Sequence, residues 1–217
     1  MRIYAAADIH SKKERMERIE QVIDRVRPDL FVMAGDITSF FNREETLSAV
    51  NRLCVPTFAV LGNSDFKSAG RKLDRKNGKF LLGPTPLSFL GHEFIGISGT
   101  VPLPFLSKLG VREKKRLSEV KSYINRKTVF VVHPPPRKIR DKVGGRFHSG
   151  SIVLKNFVKT HPPAILICGH IHEQPGFAVV SKTVVVNCAM NRTCSGALID
   201  LYENRSPRVE MIRGMPD

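Results

Sequence analysis

Tryptophan is absent, tyrosine occurs three times, and aromatic residues fill only 7% of the 217 positions. Proteins that grip single-stranded nucleic acid rely on aromatic stacking platforms, so this scarcity argues against a stacking-based binder. Cysteine is sparse too. Cys54, Cys168, Cys188 and Cys194 form no Cys-x-x-Cys pair, which removes zinc-finger spacing, and four are too few for a disulfide scaffold in a chain this long. They read as reduced, mostly buried thiols of a cytoplasmic protein. No apolar run approaches the roughly 18 residues of a membrane span, so no membrane partner is expected. The run at 3–7, closed by Asp8, is too short for a secretory signal.

Acidic residues are also in short supply. Asp and Glu total 20 against 35 Lys and Arg, giving a net charge of +15. A surface of that sign attracts polyanions and phosphorylated molecules; the plainer alternative is a solvated basic surface that serves solubility. What remains is ordinary for a globular chain: 41% apolar residues plus 16 glycines. The length suits one domain over residues 1–217.

Short apolar runs at 3–7, 30–34 and 57–61 read as buried strands. Between them, Ser11 is a candidate cap for a helix running through Val26, and 44–53 suggests a second helix. The resulting βαβαβ order predicts a parallel sheet covered by helices. A basic stretch follows at 66–80. Residues 87–98 read as a hairpin turning near Gly91-His92, Pro102 and Pro104 mark a loop, and 111–124 reads as a charged helix. A strand at 128–132 ends in His133, and a basic loop opens at Pro134-Pro135-Pro136. Ser149 or Ser151 should cap a helix with Ile152, Val153, Phe157 and Val158 inward. A strand at 164–168 ends in Gly169-His170-Ile171-His172. Four short β segments, 177–180, 183–186, 197–202 and 209–212, suggest an antiparallel end.

In parallel sheets, ligands bind beyond the carboxyl ends of the strands. Those ends carry Asp8-Ile9-His10, Gly35-Asp36, Gly62-Asn63-Ser64-Asp65, His133 and Gly169-His170-Ile171-His172. Singly, each is an ordinary polar strand exit or turn. Together they place Asp8, His10, Asp36, Asn63, His133, His170 and His172 at one sheet edge. Mixed carboxylate and imidazole donors suit Mn, Fe, Zn or Ni rather than Mg or Ca. Seven donors exceed one tetrahedral ion and suit two ions sharing a carboxylate.

The ordered motifs Asp-x-His, Gly-Asp, Gly-Asn-x-Asp, His and Gly-His-x-His, spanning residues 8–172, resemble the calcineurin-like metallophosphoesterase superfamily. The segment from His148-Ser149-Gly150-Ser151 to Gly-His-Ile-His-Glu looks like its small archaeal and bacterial members. The resemblance implies an α/β fold, a four-layer α-β-β-α sandwich of two mixed sheets flanked by helices. It implies a phosphoric ester hydrolase, a phosphodiesterase or phosphatase, using two divalent transition-metal ions, with manganese placed first and Fe, Zn or Ni as alternatives. Asp8, His10 and His172 would hold one ion, Asn63, His133 and His170 the other, and Asp36 would bridge them. A hydroxide between the ions would attack phosphorus, and Asn63 would also touch the phosphoryl oxygen.

One position departs from the resemblance. Many members carry His after Gly-Asn, acting with the following acid in proton transfer; here Ser64 precedes Asp65. A serine hydroxyl is no donor of near-neutral pKa, so His148, at the end of the loop expected to overhang the site, is the candidate replacement. Arg137 and Arg140 in the same loop are candidate phosphoryl clamps, and Gly144-Gly145 would let it act as a lid. The substrate implied is an anionic phosphate ester. Nucleic acid is the alternative partner, through a nuclease of the same chemistry, and a catalytically weak interaction module is the alternative from another class. A homodimer is compatible with the sequence.

Overall fold

The computed structural model describes residues 1–39, 41–99, 107–203 and 205–213, excepting the side chains of 107–112. Its strands are β1 (Arg2–Ala6), β2 (Leu30–Ala34), β3 (Thr57–Val60), β4 (Lys79–Leu81), β5 (Leu87–Phe89), β6 (His92–Ile97), β7 (Thr128–Val132), β8 (Lys142–Val143), β9 (Phe147–His148), β10 (Ile165–Cys168), β11 (Gly176–Val180), β12 (Thr183–Asn187), β13 (Cys194–Asp200) and β14 (Arg208–Arg213). Its α-helices are α1 (Lys13–Val26), α2 (Arg43–Arg52), α3 (Ser107–Val120) and α4 (Ile152–Thr160).

Among the described residues two six-stranded sheets form, ordered β14-β13-β1-β2-β3-β4 and β11-β12-β10-β7-β6-β5. β1 to β4 pair in parallel, and β13 joins β1 antiparallel. In the second sheet β6, β7, β10 and β12 run parallel, with antiparallel β5 and β11 at its edges. Both sheets are therefore mixed. Their inner faces meet in one apolar layer that includes Ile3, Val32, Phe58, Phe94, Val129, Ile167 and Val186. α1 and α2 cover the outer face of the first sheet through Met16, Ile19, Val22, Leu47 and Val50. α3 and α4 cover the second through Leu117, Val120, Leu154, Phe157 and Val158. The order of layers is α-β-β-α, as expected.

Strands buried on both faces read as continuous apolar runs, which is why 3–7, 30–34, 57–61, 128–132 and 164–168 coincide with β1, β2, β3, β7 and β10 to within a residue or so. The differences have local causes. α1 begins at Lys13 with Lys12 at its N-cap and no side-chain cap, because Ser11 is left-handed (φ 54°) and turns its hydroxyl to accept from Ser39 N at 3.0 Å. Ser151 does cap α4, accepting from Leu154 N at 2.9 Å, but Ile152 points outward and Leu154 takes the inward place. The hairpin turns at Leu90-Gly91, both left-handed. α3 starts earlier than expected and ends in a 3-10 turn at Lys121–Tyr123. The tail is only partly antiparallel, since β12 adds parallel to β10 and the last two strands join the other sheet. The Pro102 and Pro104 loop lies outside the described residues.

Candidate metal centre

The parallel strands β1, β2, β3, β7, β10 and β12 all finish on one edge of the sandwich, and the turns leaving five of them carry the donors. Asp8, His10, Asp36 and His170 hold left-handed backbone conformations, with φ of 60°, 53°, 50° and 71°. For residues with a side chain this costs roughly 1–2 kcal/mol each. Such strain persists where packing over-determines it, and it gathers at functional sites. Here it swings the chain sharply off each strand, so that alternate side chains face the same space. Gly35 (φ 93°) is required as well: a Cβ there would meet His133 Nδ1 at 2.5 Å.

The seven donors converge. In one group His172 Nε2 lies 3.0 Å from Asp8 Oδ1 and 3.4 Å from His10 Nε2. In the other, His133 Nε2 lies 3.1 Å from Asn63 Oδ1 and 3.2 Å from His170 Nδ1. Asp36 Oδ2 stands between them, 3.7 Å from His10 Nε2 and 3.4 Å from His133 Nε2. Asp8-His10-His172 and Asp36-His133-His170 each place three ligand atoms within 4.8 Å of one another.

Each carboxylate is divided in function. Asp8 Oδ2 accepts from His170 N at 2.8 Å, leaving Oδ1 for the cluster. Asp36 Oδ1 accepts from Ser64 N at 2.8 Å, leaving Oδ2. His133 Nδ1 lies 2.8 Å from the Ala34 carbonyl, which can only accept, so Nδ1 carries the hydrogen and Nε2 faces the donors. Supporting groups that orient ligands in this manner are typical of metal sites.

The electrostatics fit a cation. Two pairs of imidazole nitrogens aim basic lone pairs at one another, and at most one proton can sit within each pair. Burial pushes His170 down to about 4, helped by neighbouring His133. Burial likewise lowers His10. Burial would lower His133 too, but the hydrogen bond and charge of Asp36 outweigh it and raise it to about 8. Burial opposes ionisation of Asp36, yet His133 and the Ser64 amide hold its carboxyl well below the usual range. Carboxylate oxygens and imidazole nitrogens lie together here, the mixed donor set divalent transition ions prefer.

The other predicted site residues stand apart from the cluster. Asp65 accepts from Ile37 N, Thr38 N, Thr38 Oγ1 and Gly62 N at 2.7–3.1 Å, so both oxygens tie the Asp36 turn to the Asn63 turn. Its geometry is that of a positioning residue. Ser64 Oγ donates to the Thr38 carbonyl. His148 Nδ1 sits 2.6 Å from Asp141 Oδ1 on the β8–β9 hairpin, while Asp141 Oδ2 accepts from Lys138 N and Gly150 N. Arg137 donates to the His148 carbonyl and Arg140 to the Phe177 carbonyl. Among the described residues no hydrogen bond joins His148, Arg137 or Arg140 to the cluster. The basic stretch after Asp65 is partly consumed by structure: Lys79 is buried and caps three backbone carbonyls, and Lys72 pairs with Glu44.

Two asparagines outside the seven donors hold the loops of the site. Buried Asn187, ending β12, donates to the carbonyls of Ile171 and Arg140 and so fixes the loop between His170 and His172. Asn191 donates to the His172 carbonyl, and Arg18 holds the Asn191 carbonyl. Their only signal is position: an amide just beyond a buried strand.

A four-layer sandwich with two carboxylate–imidazole clusters at its strand ends defines a metal-dependent phosphoric ester hydrolase. Residues 1–174 match the family described as calcineurin-like phosphoesterase, and the chain belongs to that family. No curated protein sequence matches it. Similar folds include the Thermus thermophilus protein TT1561 (TM-score 0.73, 15% identity, covering 97% of this chain and 98% of that one). A dimetal phosphatase from Danio rerio (TM-score 0.61, 13% identity, 99% and 96%) is another. So is a structure described as a novel archaeal phosphodiesterase (TM-score 0.56, 14% identity, 98% and 100%).

Proposed function

We propose that this chain hydrolyses phosphodiesters or phosphomonoesters at a dinuclear centre, with manganese as the working metal. The observation that carries the reading is Asp36 Oδ2, placed within 3.7 Å of a nitrogen from each donor group. Asp8, His10 and His172 would hold one ion, Asn63, His133 and His170 the other, and Asp36 would be shared. When bound, such ions polarise the phosphoryl group and bring the pKa of water towards neutrality.

The chain's own residues do the rest. The backbone amides of His170 and Ser64 keep the outer carboxylate oxygens occupied, so the inner ones stay aimed at the ions. Asn63 is exposed, and its amide can reach a substrate oxygen. His148, fixed by Asp141 through Nδ1, is the side chain read as donating a proton to the leaving group in place of the imidazole that Ser64 lacks. Arg137 and Arg140 are read as substrate contacts. Packing of both sheets on one core supports reading residues 1–217 as one domain. The free, buried Cys168, Cys188 and Cys194 support a reducing, cytoplasmic setting.

The test is direct. Metal-stripped protein titrated with manganese should take up close to two ions per chain and gain hydrolysis of bis(p-nitrophenyl) phosphate. Uptake of none, with no turnover under Mn, Fe, Zn or Ni, refutes the reading.

A further inference from the structure

A groove of about 800 Å³ lies where β11 meets the loop before β13, lined also by Glu173, the residue after His172. Its lining includes Arg140, Arg192 and Arg213 together with Phe177, Asn191 and Glu173. The groove borders the loop that carries the ligand His172. Glu173 follows the ligand His172, and Asn191 donates to the His172 carbonyl at 2.8 Å. The charge is unbalanced: three guanidiniums face one carboxylate, and that carboxylate already accepts from Gly144 N. Arg192 and Arg213 are exposed, and among the described residues no carboxylate pairs with either. Phe177 is 40% exposed, and Pro175 and Met211 add further apolar surface to the lining. The Arg140 guanidinium donates from Nε and Nη2 to the Phe177 carbonyl and holds that wall in place.

A monoanionic ester would leave this groove unused. Guanidinium forks match phosphate oxygens in pairs, and a flat apolar ring complements a nucleobase. Building on the phosphoesterase reading above, we propose that the groove binds the non-reacting part of a nucleotidic phosphodiester. A second phosphate would lie on Arg192 and Arg213, and a base against Phe177. The groove thus selects phosphorylated nucleotide esters over unphosphorylated ones.

The experiment separates binding from turnover. Metal-free protein in excess EDTA is titrated with dithymidylate, with and without a 5′-phosphate. Wild type should bind the phosphorylated form about tenfold more tightly. An R192E/R213E variant should lose that preference to within twofold. A control pair, R52E/K159E, removes the same charge from helix ends that precede β3 and β10, at the opposite edge of the sheets, and should keep it. No preference in wild type, or a preference that R192E/R213E retains, overturns the proposal. Loss of the preference in the control pair as well assigns it to net charge and also overturns it. Because no metal is present, a failed hydrolysis assay leaves this binding result standing, and a failed binding result leaves hydrolysis of bis(p-nitrophenyl) phosphate standing.

Discussion

At the scale of single residues the site rests on Asp36 and His133. Asp36 is buried, and its Oδ2 lies within 3.7 Å of a nitrogen from each donor group. Asp36→Asn keeps the shape and the Ser64 amide bond but removes the anion proposed to be shared. Turnover should fall on the order of 10³-fold, and manganese uptake should drop towards one ion per chain, read by elemental analysis after dialysis. Full activity in this variant would remove Asp36 from the bridging position. The same pair makes the metal-free protein sensitive to pH. His133 is raised to about 8 by Asp36, against about 6.5 unfolded. The folded state therefore holds this proton more tightly, and the stability it contributes is complete below pH 6.5 and lost as pH rises through 8. The difference amounts to about 2 kcal/mol at most. His170 does not offset it there, because with a lowered folded pKa it is neutral in both states above pH 7. Melting in EDTA should accordingly show a falling Tm from pH 7 to 9. Asp36→Asn should flatten that fall; an equal slope in both proteins would mean the pair is not its source.

At the scale of elements, the strand exits do the positioning. Gly62 leaves β3 where a Cβ would overlap Asp36 Oδ1 and its backbone nitrogen. Its φ is not left-handed, so Gly62→Ala imposes a displacement of Asp36 rather than backbone strain. A shift of about 1 Å at a reacting centre can cost about 10²-fold, so kcat should fall by that order while the far-UV circular dichroism stays native. The β8–β9 hairpin makes the second case. His148→Ala should slow alkyl phosphoesters about 10²-fold more than p-nitrophenyl esters, whose leaving group needs little protonation. Equal slowing of both would assign His148 to structure. These elements also show what a sequence can convey. The apolar runs that become β1, β2, β3, β7 and β10 are long enough to be read, and so the donors at their ends are read with them. β4, β8 and β9 have two or three residues each, too few to leave a periodic trace. The insertion of β12 parallel to β10 is a long-range pairing that no local pattern encodes. Asp65 looks like a candidate acid in the sequence because its carboxylate lies beside a site motif, and Asp141 does not stand out at all. What distinguishes them is the set of amides and the imidazole that tertiary folding brings to their oxygens.

At the scale of the whole molecule, the excess of +15 and the local groove make different claims on a substrate. Asp8 and Asp36, two of the chain's few acids, are buried in the donor cluster, and divalent ions bound there would cancel their charge. The remaining surface would then be more positive still on that face, and clefts of one sign concentrate oppositely charged ligands. Such a field is screened: its reach shrinks from about 30 Å at 0.01 M ionic strength to about 10 Å at 0.1 M. A guanidinium touching a phosphate is screened far less. With manganese bound, kcat/KM for a multiply charged nucleotide ester should fall steeply between 0.01 and 0.3 M salt, and the fall should lie in KM, since kcat reports the bound complex. The monoanionic bis(p-nitrophenyl) phosphate should show a shallower slope in the same series. At 0.3 M the multiply charged ester should still be preferred, because contacts outlast the field. Identical slopes for the two esters would show that the excess charge serves solubility alone. Complete loss of preference at high salt would show that attraction at a distance, rather than contact in the groove, had produced it.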